Sequence, residues 1–298
     1  MSSIAEIKSR IESISEMQKI TNAMYLIACA KLQHTKTELN ATRPYFDALA
    51  REIKRVFRIE ENIENKYFYP ITGEHEFEGA YGYLVITADK GLAGAYNQNI
   101  IKKVSELMKM HDRSKLFVVG EYGRQYFESQ HIPIEKSFIY TAQNPTLNRA
   151  RKISSILLDM YNTGELKKIF VVYTDFGGGM KTEVKTFRLL PFHRKDFAAG
   201  DIEKDEHFEF LHSLDKVLDN IMPSYITGYI YSALIDSFCS EQGSRMNAMN
   251  TANENTKELL YDLKFKYNHA RQDMITREIT EIAAASQNQA ARETGGLK

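Results

Sequence analysis

Hydrophobic residues in the first 58 positions recur at helical spacing. The first four lie three or four residues apart, which is the spacing of a coiled-coil seam: Ile4, Ile7, Ile11 and Ile14. The stripe continues with an imperfect heptad register through Met17, Ile20, Met24 and Ile27. The segment up to Arg58 contains one proline, Pro44, and no glycine. It predicts one helix about 80 Å long at ~1.5 Å per residue, which must protrude from a domain of this size.

The C-terminal part of the chain shows a second helical stripe. Steps of three and four residues pass through nine positions, seven of them apolar or aromatic: Met246, Met249, Asn253, Thr256, Leu260, Leu263, Tyr267, Ala270 and Met274. Ile275, Ile279 and Ile282 are expected to continue this stripe after a small drift. We expect this helix to begin near Pro223, since proline is permitted in a first turn. Gly228 and Gly243 weaken the helix locally. Neither stripe is wide enough to bury a helix on all sides, so an antiparallel coiled coil of the two terminal helices is predicted.

The middle of the chain alternates between two patterns. Short runs rich in β-branched residues predict strands at 83–87, 116–119 and 169–173, with an edge strand at 183–190. Amphipathic segments between the first three predict helices at 98–111, 121–130 and 147–161. Alternation of this kind is typical of a mostly parallel sheet with helices on its faces, so we predict a Rossmann-like α/β domain.

These patterns divide the chain into three parts. We predict an N-terminal coiled-coil helix over residues 1–58, a central α/β domain over 59–219 and a C-terminal coiled-coil helix over 220–298. Two acidic stretches, 60–78 and 195–219, are interpreted as solvated connections of the central domain.

Composition narrows the function classes. The 39 basic and 39 acidic side chains give a net charge of zero, which argues against a nucleic-acid-binding protein. The longest uncharged run, 220–235, is too short to span a bilayer, and the N-terminus shows no signal or transit segment, so no direct membrane insertion is expected. The two cysteines, Cys29 and Cys239, form no metal or redox motif and are interpreted as free thiols.

A search for catalytic motifs finds little. No glycine is followed by lysine, which excludes a P-loop, and HExxH, GxSxG and CxxC are absent. The turn at 89–97 has a GxxG spacing, read as a tight turn or, less well, as a nucleotide-binding turn. Gly177–Gly179 is read as a loop, and His207 with His212 could form only a weak metal site. We therefore expect no catalytic residue, no cofactor and no bound metal.

Four stretches, in order, carry a resemblance to a known family. They are IKSRIESISEMQKITNAMYLIACAKL (7–32), ITADKGLAGAYNQNI (86–100), SEQGSRMNAMNTANEN (240–255) and LKFKYNHARQDMITREITEI (263–282). The chain resembles the γ subunits of F-type ATP synthases over nearly its whole length. The resemblance implies a non-catalytic rotating shaft. Its terminal helices lie inside a ring of α and β subunits, and its α/β domain contacts an ε subunit and a membrane c-ring.

The resemblance also implies contact residues. Met24 occupies the methionine position of the KITxAM motif, which in the family faces a β subunit. A second set matches polar positions where the family's C-terminal helix meets the α/β ring: Arg245, Arg271, Gln272, Thr276, Glu278, Thr280 and Glu281. Arg245 is expected to pair with an acidic loop of a β subunit. The chain is expected at the cytoplasmic face of a bacterial cell membrane, held there through the complex.

Two other function classes stay open at this point. The chain could be a coiled-coil scaffold that homodimerises through its isoleucine seam, or an enzyme that uses the 89–97 turn. The coupling ion (H⁺ or Na⁺), the size of the c-ring and the role of the extended 283–298 tail are not encoded in any motif of this chain.

Overall fold

Two long helices begin and end the chain. A computed structural model describes residues 4–60, 63–71, 78–177, 183–198 and 213–295, with side chains as far as residue 286. Helix α1 spans Ile4–Ile59 and helix α6 spans Leu214–Gly295, with 56 and 82 residues respectively. Parts of the acidic stretches 60–78 and 195–219, and the end of the 283–298 tail, lie outside the described residues.

The start of α6 differs from the sequence prediction. The helix begins at Leu214, nine residues before Pro223, so this proline lies inside the helix and not in its first turn. An interior proline removes one main-chain hydrogen bond and costs about 3 kcal/mol in an exposed helix. Here Leu218, Met222 and Ile226 are fully buried on the same segment, and their burial offsets that cost.

The chain divides into two compact units, and the first is formed by residues 1–26 and 247–298. Ile14 packs with Leu260 and Leu263, and Ile7 and Ile11 pack against this cluster. Seven positions farther along α1, Thr21 contacts Asn253, seven positions earlier on α6. The opposite numbering confirms the predicted antiparallel coiled coil.

The middle of this coiled coil is polar where an apolar seam would be usual. The Thr21 hydroxyl donates a hydrogen bond to Asn253 Oδ1. Asn253 and Thr256 are both buried, between the buried side chains of Met249 and Leu260. A buried polar pair in a seam specifies register at a cost in stability.

This polar layer corrects the predicted stripe of α1. Met17, Ile20 and Ile27 were predicted to continue the seam, but they are 56%, 61% and 56% exposed. The seam keeps its phase through half-buried Gln18 and Thr21, which the hydrophobic pattern could not identify.

The second unit, residues 27–246, contains the sheet. Its strands are β1 (Ala80–Ile86), β2 (Ser114–Val119), β3 (Leu166–Asp175) and β4 (Glu183–Leu190), in the order β2-β1-β3-β4. β1 is parallel to both neighbours, and β4 pairs antiparallel with β3 at the edge. The mostly parallel sheet and the edge strand confirm the predicted fold class.

Helices cover both faces of the sheet. On one face α2 (Tyr96–Met108) and α3 (Glu121–Ser129) share a core with Tyr83, Val85 and Val118. On the other face lie α4 (Leu147–Asn162) and the short α5 (Lys195–Ala198). The same core includes α1 residues from Ile53 to Phe57 and α6 residues from Leu218 to Cys239. The bases of both long helices are therefore part of the sheet's hydrophobic core.

One close contact joins the two long helices in this unit. The Phe46 ring of α1 lies directly on Gly228 of α6, where an added Cβ would be 2.0 Å from Phe46 Cδ1. Gly228 was read from the sequence as a weakness of the helix, but the structure gives it a packing role. Gly243 differs, because a Cβ there would meet only the edge of Phe176 at 3.4 Å.

We predict that Gly228→Ala lowers the free energy of unfolding by about 1–3 kcal/mol, because the methyl group displaces Phe46. The matched change Gly243→Ala should be neutral or gain up to about 1 kcal/mol from helix propensity. Urea unfolding of both variants measures the difference. Equal effects at the two glycines would contradict the packing role of Gly228.

We predict that the double variant Thr21→Val, Asn253→Leu raises the free energy of unfolding by about 1–2 kcal/mol, because it replaces a polar layer by an apolar one. Asn250→Leu on the exposed side of α6 is the control and should give no gain. If the double variant were no more stable than wild type, Thr21 and Asn253 would not be seam residues.

Candidate partner-binding surfaces

The segment of α6 from residue 271 to 286 is exposed on every face. All side chains from residue 271 to 286 are exposed, including three isoleucines at spacings of four and three, Ile275, Ile279 and Ile282, with exposures of 41%, 62% and 70%. Residues at this spacing share one face of a helix. Exposed contiguous apolar side chains of this size mark an interaction surface. The three isoleucines were expected to continue the seam, but their exposure shows that no helix of the described residues covers them. We call Ile275, Ile279 and Ile282 the isoleucine stripe.

Six of the predicted contact residues lie on this same segment, on both sides of the isoleucine stripe. Arg271 and Glu278 are seven residues apart, so they share a face. Gln272, Thr276 and Thr280 follow at intervals of four and form a second row. The hydroxyls of this row bond locally, since Thr276 Oγ1 donates to Gln272 O at 2.9 Å and Thr280 Oγ1 to Thr276 O at 2.8 Å. Glu281 is exposed on the same segment.

Met24 lies at the edge of a second exposed apolar row. It is half-buried and lies four residues beyond the exposed Ile20 and seven beyond the exposed Met17, on the same helical face. The residues that fail as seam positions thus form an outward-facing row on α1. Because Thr21 lies opposite Asn253 in the antiparallel pair, Met24 lies far along the helices from residues 271–281 of α6.

Arg245 has a different environment from the other predicted contact residues. Its guanidinium donates to Glu241 Oε1 at 2.6 Å and to the Gly91 carbonyl at 3.1 Å. The side chains are only 11% and 5% exposed for Arg245 and Glu241. Burial raises the pKa of Glu241, and the charge of Arg245 opposes that rise. Arg245 therefore holds the turn after β1 against α6.

That turn carries the glycines that could suggest a nucleotide site. Asp89 accepts hydrogen bonds from the backbone N–H groups of Glu121, Ala142 and Gln143, each at 3.1 Å. Glu121 is the first residue of α3, and backbone N–H groups at such a position are what a phosphate would use. A carboxylate of the chain itself fills that position at the start of α3, and Asp89 joins the 89–97 turn to α3 and to Ala142 and Gln143. This internal use of the turn supports its reading as a tight turn.

No cluster of potential metal ligands and no helix long and apolar enough to cross a membrane occurs among the residues that the structure describes. His207, His212, Gly178 and Gly179 lie outside those residues.

Sequence reasoning missed Asp89 and Glu241 as organising residues. Asp89 could have been suspected from its place directly after a strand and before two glycines. The i, i+4 spacing of Glu241 and Arg245 was a visible signal for an ion pair. The bond from Arg245 to Gly91 spans 154 positions of the chain and had no local signal.

We predict that Arg245→Ala lowers the free energy of unfolding by about 3 kcal/mol at pH 7, because it leaves a buried carboxylate unpaired. Loss of the cation raises the pKa of Glu241 further above its unfolded value. The folded state then binds the Glu241 proton more tightly, so stability falls as pH rises from about 4.3, the unfolded value, through the folded pKa.

The loss of unfolding free energy in Arg245→Ala should therefore be smallest near pH 4 and largest at pH 7 and above. The control is Arg245→Met with Glu241→Gln, which removes both charges and should lose less at pH 7 than Arg245→Ala. A loss that is independent of pH would show that Glu241 is not the group left unpaired.

Comparison with known proteins identifies the family of this chain. A family model described as ATP synthase matches residues 3–288. A relative named ATP synthase gamma chain from Ruminiclostridium cellulolyticum is 38% identical over 286 residues, which cover 94% of this chain and 97% of the relative. Another relative of the same name, from Caldanaerobacter subterraneus, is 39% identical, and the match covers 93% of this chain and 97% of the relative.

Solved structures share the fold. A chain of the Tetrahymena thermophila mitochondrial ATP synthase central stalk and c-ring matches with a TM-score of 0.59 and 23% identity, covering 78% of this chain and 99% of that chain. A chain of the Euglena gracilis mitochondrial ATP synthase rotor matches with a TM-score of 0.62 and 16% identity, covering 91% and 98%. With the family match over almost the whole length, the chain belongs to the ATP synthase gamma chain family.

Proposed function

We propose that this chain is the non-catalytic central shaft of an F-type ATP synthase, which couples transmembrane ion flow to the catalytic cycle of a ring of α and β subunits. The observation that carries the proposal is the α6 segment 271–286, which is exposed on every face and follows the part of α6 that forms the antiparallel coiled coil with α1. Family membership supports the same role, since the relatives are named as gamma chains.

The long helices suit the transmission of torque. An α-helix of 82 residues is about 120 Å long at ~1.5 Å per residue. Ile53 and Val56 of α1 and Leu218 and Met222 of α6 are fully buried in the core of the α/β unit. A rotation applied to that unit is therefore carried into both helices.

The faces of the exposed α6 segment differ from one another. The isoleucine stripe presents an apolar surface, while Gln272, Thr276 and Thr280 present a polar one. A ligand shifts a conformational equilibrium only through different contacts with the two states. A shaft with unequal faces gives each catalytic subunit a different contact set at each angle, and rotation then moves every subunit through its states in turn.

The predicted division of the chain becomes part of this proposal. The helices over 1–58 and 220–298 enter the ring of α and β subunits, and the central part over 59–219 contacts the ε subunit and the c-ring. The complex holds the chain at the cytoplasmic face of a bacterial cell membrane without direct insertion. The bacterial relatives support this location.

The contact residues are assigned by the same reasoning. Met24 on α1 and the 271–281 segment of α6 face the α and β subunits: Arg271, Gln272, Thr276, Glu278, Thr280 and Glu281. Arg245 contributes a smaller contact, because most of its guanidinium is already used by Glu241 and Gly91. Its main effect on the complex comes from the position of the turn that it holds.

The alternative of a homodimeric scaffold is not favoured. A scaffold would need the isoleucine seam of α1 for a second copy. That seam is occupied within the chain, because Ile14 packs with Leu260 and Leu263.

The test is co-expression of this chain with the α and β subunits of the same complex, followed by native mass measurement and an ATPase assay. We expect one copy of the chain per ring. Ile275→Ser with Ile279→Ser should lower the ATPase rate at least threefold while leaving the chain folded, because both side chains are exposed.

The control is Met110→Ser with Ile139→Ser, which changes two side chains of the α/β unit that are 72% and 67% exposed. It should leave the rate of this ε-free complex unchanged. A ring that assembles and hydrolyses ATP equally well without the chain would refute the proposed function.

A further inference from the structure

The α/β unit contains a cavity that the proposed function does not use. It has a volume of about 790 Å³ and lies between α1, α4 and α6. Its lining includes Tyr45 and Phe46 of α1, Arg151 and Asp159 of α4, and Thr227 of α6. Pockets for small organic molecules have volumes of roughly 300–1,000 Å³ and combine apolar walls with a few placed polar groups.

One wall of the cavity is aromatic and held in place. The rings of Tyr45 and Phe46 meet edge to face, with centroids 5.2 Å apart. Phe46 rests on Gly228, which has no side chain to displace it. Tyr45 is 56% exposed, so its ring is available for contact. Buried Leu158 adds apolar surface from α4. Such a wall favours a flat apolar ligand.

The lining also offers one specific polar group. Thr227 Oγ1 donates to the Pro223 carbonyl at 2.8 Å and lies 2.7 Å from Ser154 Oγ. Because the single proton of Thr227 is used, Ser154 must donate to Thr227. Ser154 Oγ then keeps only acceptor capacity. Both residues are buried and line the cavity, so this position favours an N–H or O–H donor on the ligand.

Two side chains of opposite charge lie at different positions on the rim of the cavity. Arg151 and Asp159 are both exposed and lie eight residues apart on α4, a separation of about 12 Å along the helix. Neither side chain makes a hydrogen bond or an ion pair with the residues that the structure describes. An anionic group of a ligand is therefore attracted electrostatically at the Arg151 end and repelled at the Asp159 end.

We infer that this cavity is a binding site for a small amphipathic organic anion. Its flat apolar body lies against Tyr45 and Phe46, an N–H or O–H donor faces Ser154 Oγ, and its anionic group is next to Arg151. All lining residues belong to the α/β unit, and none is a predicted contact residue for the α and β subunits. The site therefore does not depend on the proposed function.

The probe is 8-anilinonaphthalene-1-sulfonate, which has fused rings, one N–H donor and one anionic group. Titration into the full chain, followed by fluorescence and by calorimetry, should show one saturable site per chain. The neutral analogue N-phenyl-1-naphthylamine has the same rings and N–H without the sulfonate. It should bind at least fivefold more weakly, because it lacks the group that Arg151 would contact.

Four variants separate the cavity from other surfaces. Arg151→Glu should weaken binding of the sulfonate probe at least tenfold, and the matched control Lys152→Glu, on the adjacent exposed residue that does not line the cavity, should change it less than twofold. Ser155→Trp, at an exposed lining position, should abolish saturable binding. Asp159→Asn should tighten binding. Thermal unfolding of each variant verifies that it is folded.

Three results would overturn the inference. They are the absence of a saturable site in the wild-type chain, binding that survives Ser155→Trp in the folded variant, and equal weakening by Arg151→Glu and Lys152→Glu. The last would show a general effect of net charge on an anionic dye.

Discussion

Anchorage of both terminal helices in the core of the α/β unit is the constraint on which the rest of the structure depends. Ile53 and Val56 of α1 and Leu218, Met222 and Ile226 of α6 are completely buried with the sheet. Burial of a large aliphatic side chain contributes about 1.5–3 kcal/mol. These contacts fix the base of each helix, so force on the sheet cannot rotate one helix without the other.

Hydrogen bonds of two charged side chains hold the 89–97 turn of this unit in place. Asp89, which follows the first strand, accepts hydrogen bonds from backbone N–H groups of Glu121, at the start of α3, and of Ala142 and Gln143, and Arg245 ties the same turn to α6. A turn that looks suited to a nucleotide is in this way committed to internal hydrogen bonds. The proposed shaft needs no chemistry of its own, and these residues serve to hold the domain and the long helix in one arrangement.

Much of the fold could be predicted from the sequence, because its signals are local. Runs such as 169–173 identified the strands, and the alternation of 183–190 gave the edge strand with its observed bounds. The seam from Met249 to Leu263 followed from spacing alone. The outward orientation of Met17 and Ile20 could not be predicted, because polar Thr21 holds the seam position through its contact with Asn253 on a distant helix. The pairing of Arg245 with Gly91 and the contact of Phe46 with Gly228 are equally non-local.

The central claim is that this chain turns inside a catalytic ring, and rotation can be observed directly. A bead can be attached to the new thiol of a Met110→Cys variant that also carries Cys29→Ser. Burial raises the pKa of Cys239 to about 12, so this thiol should stay unlabelled. With the ring of α and β subunits fixed to a surface and ATP supplied, the account predicts rotation of the bead in one direction. ATP hydrolysis by the assembled ring with a stationary bead would contradict it.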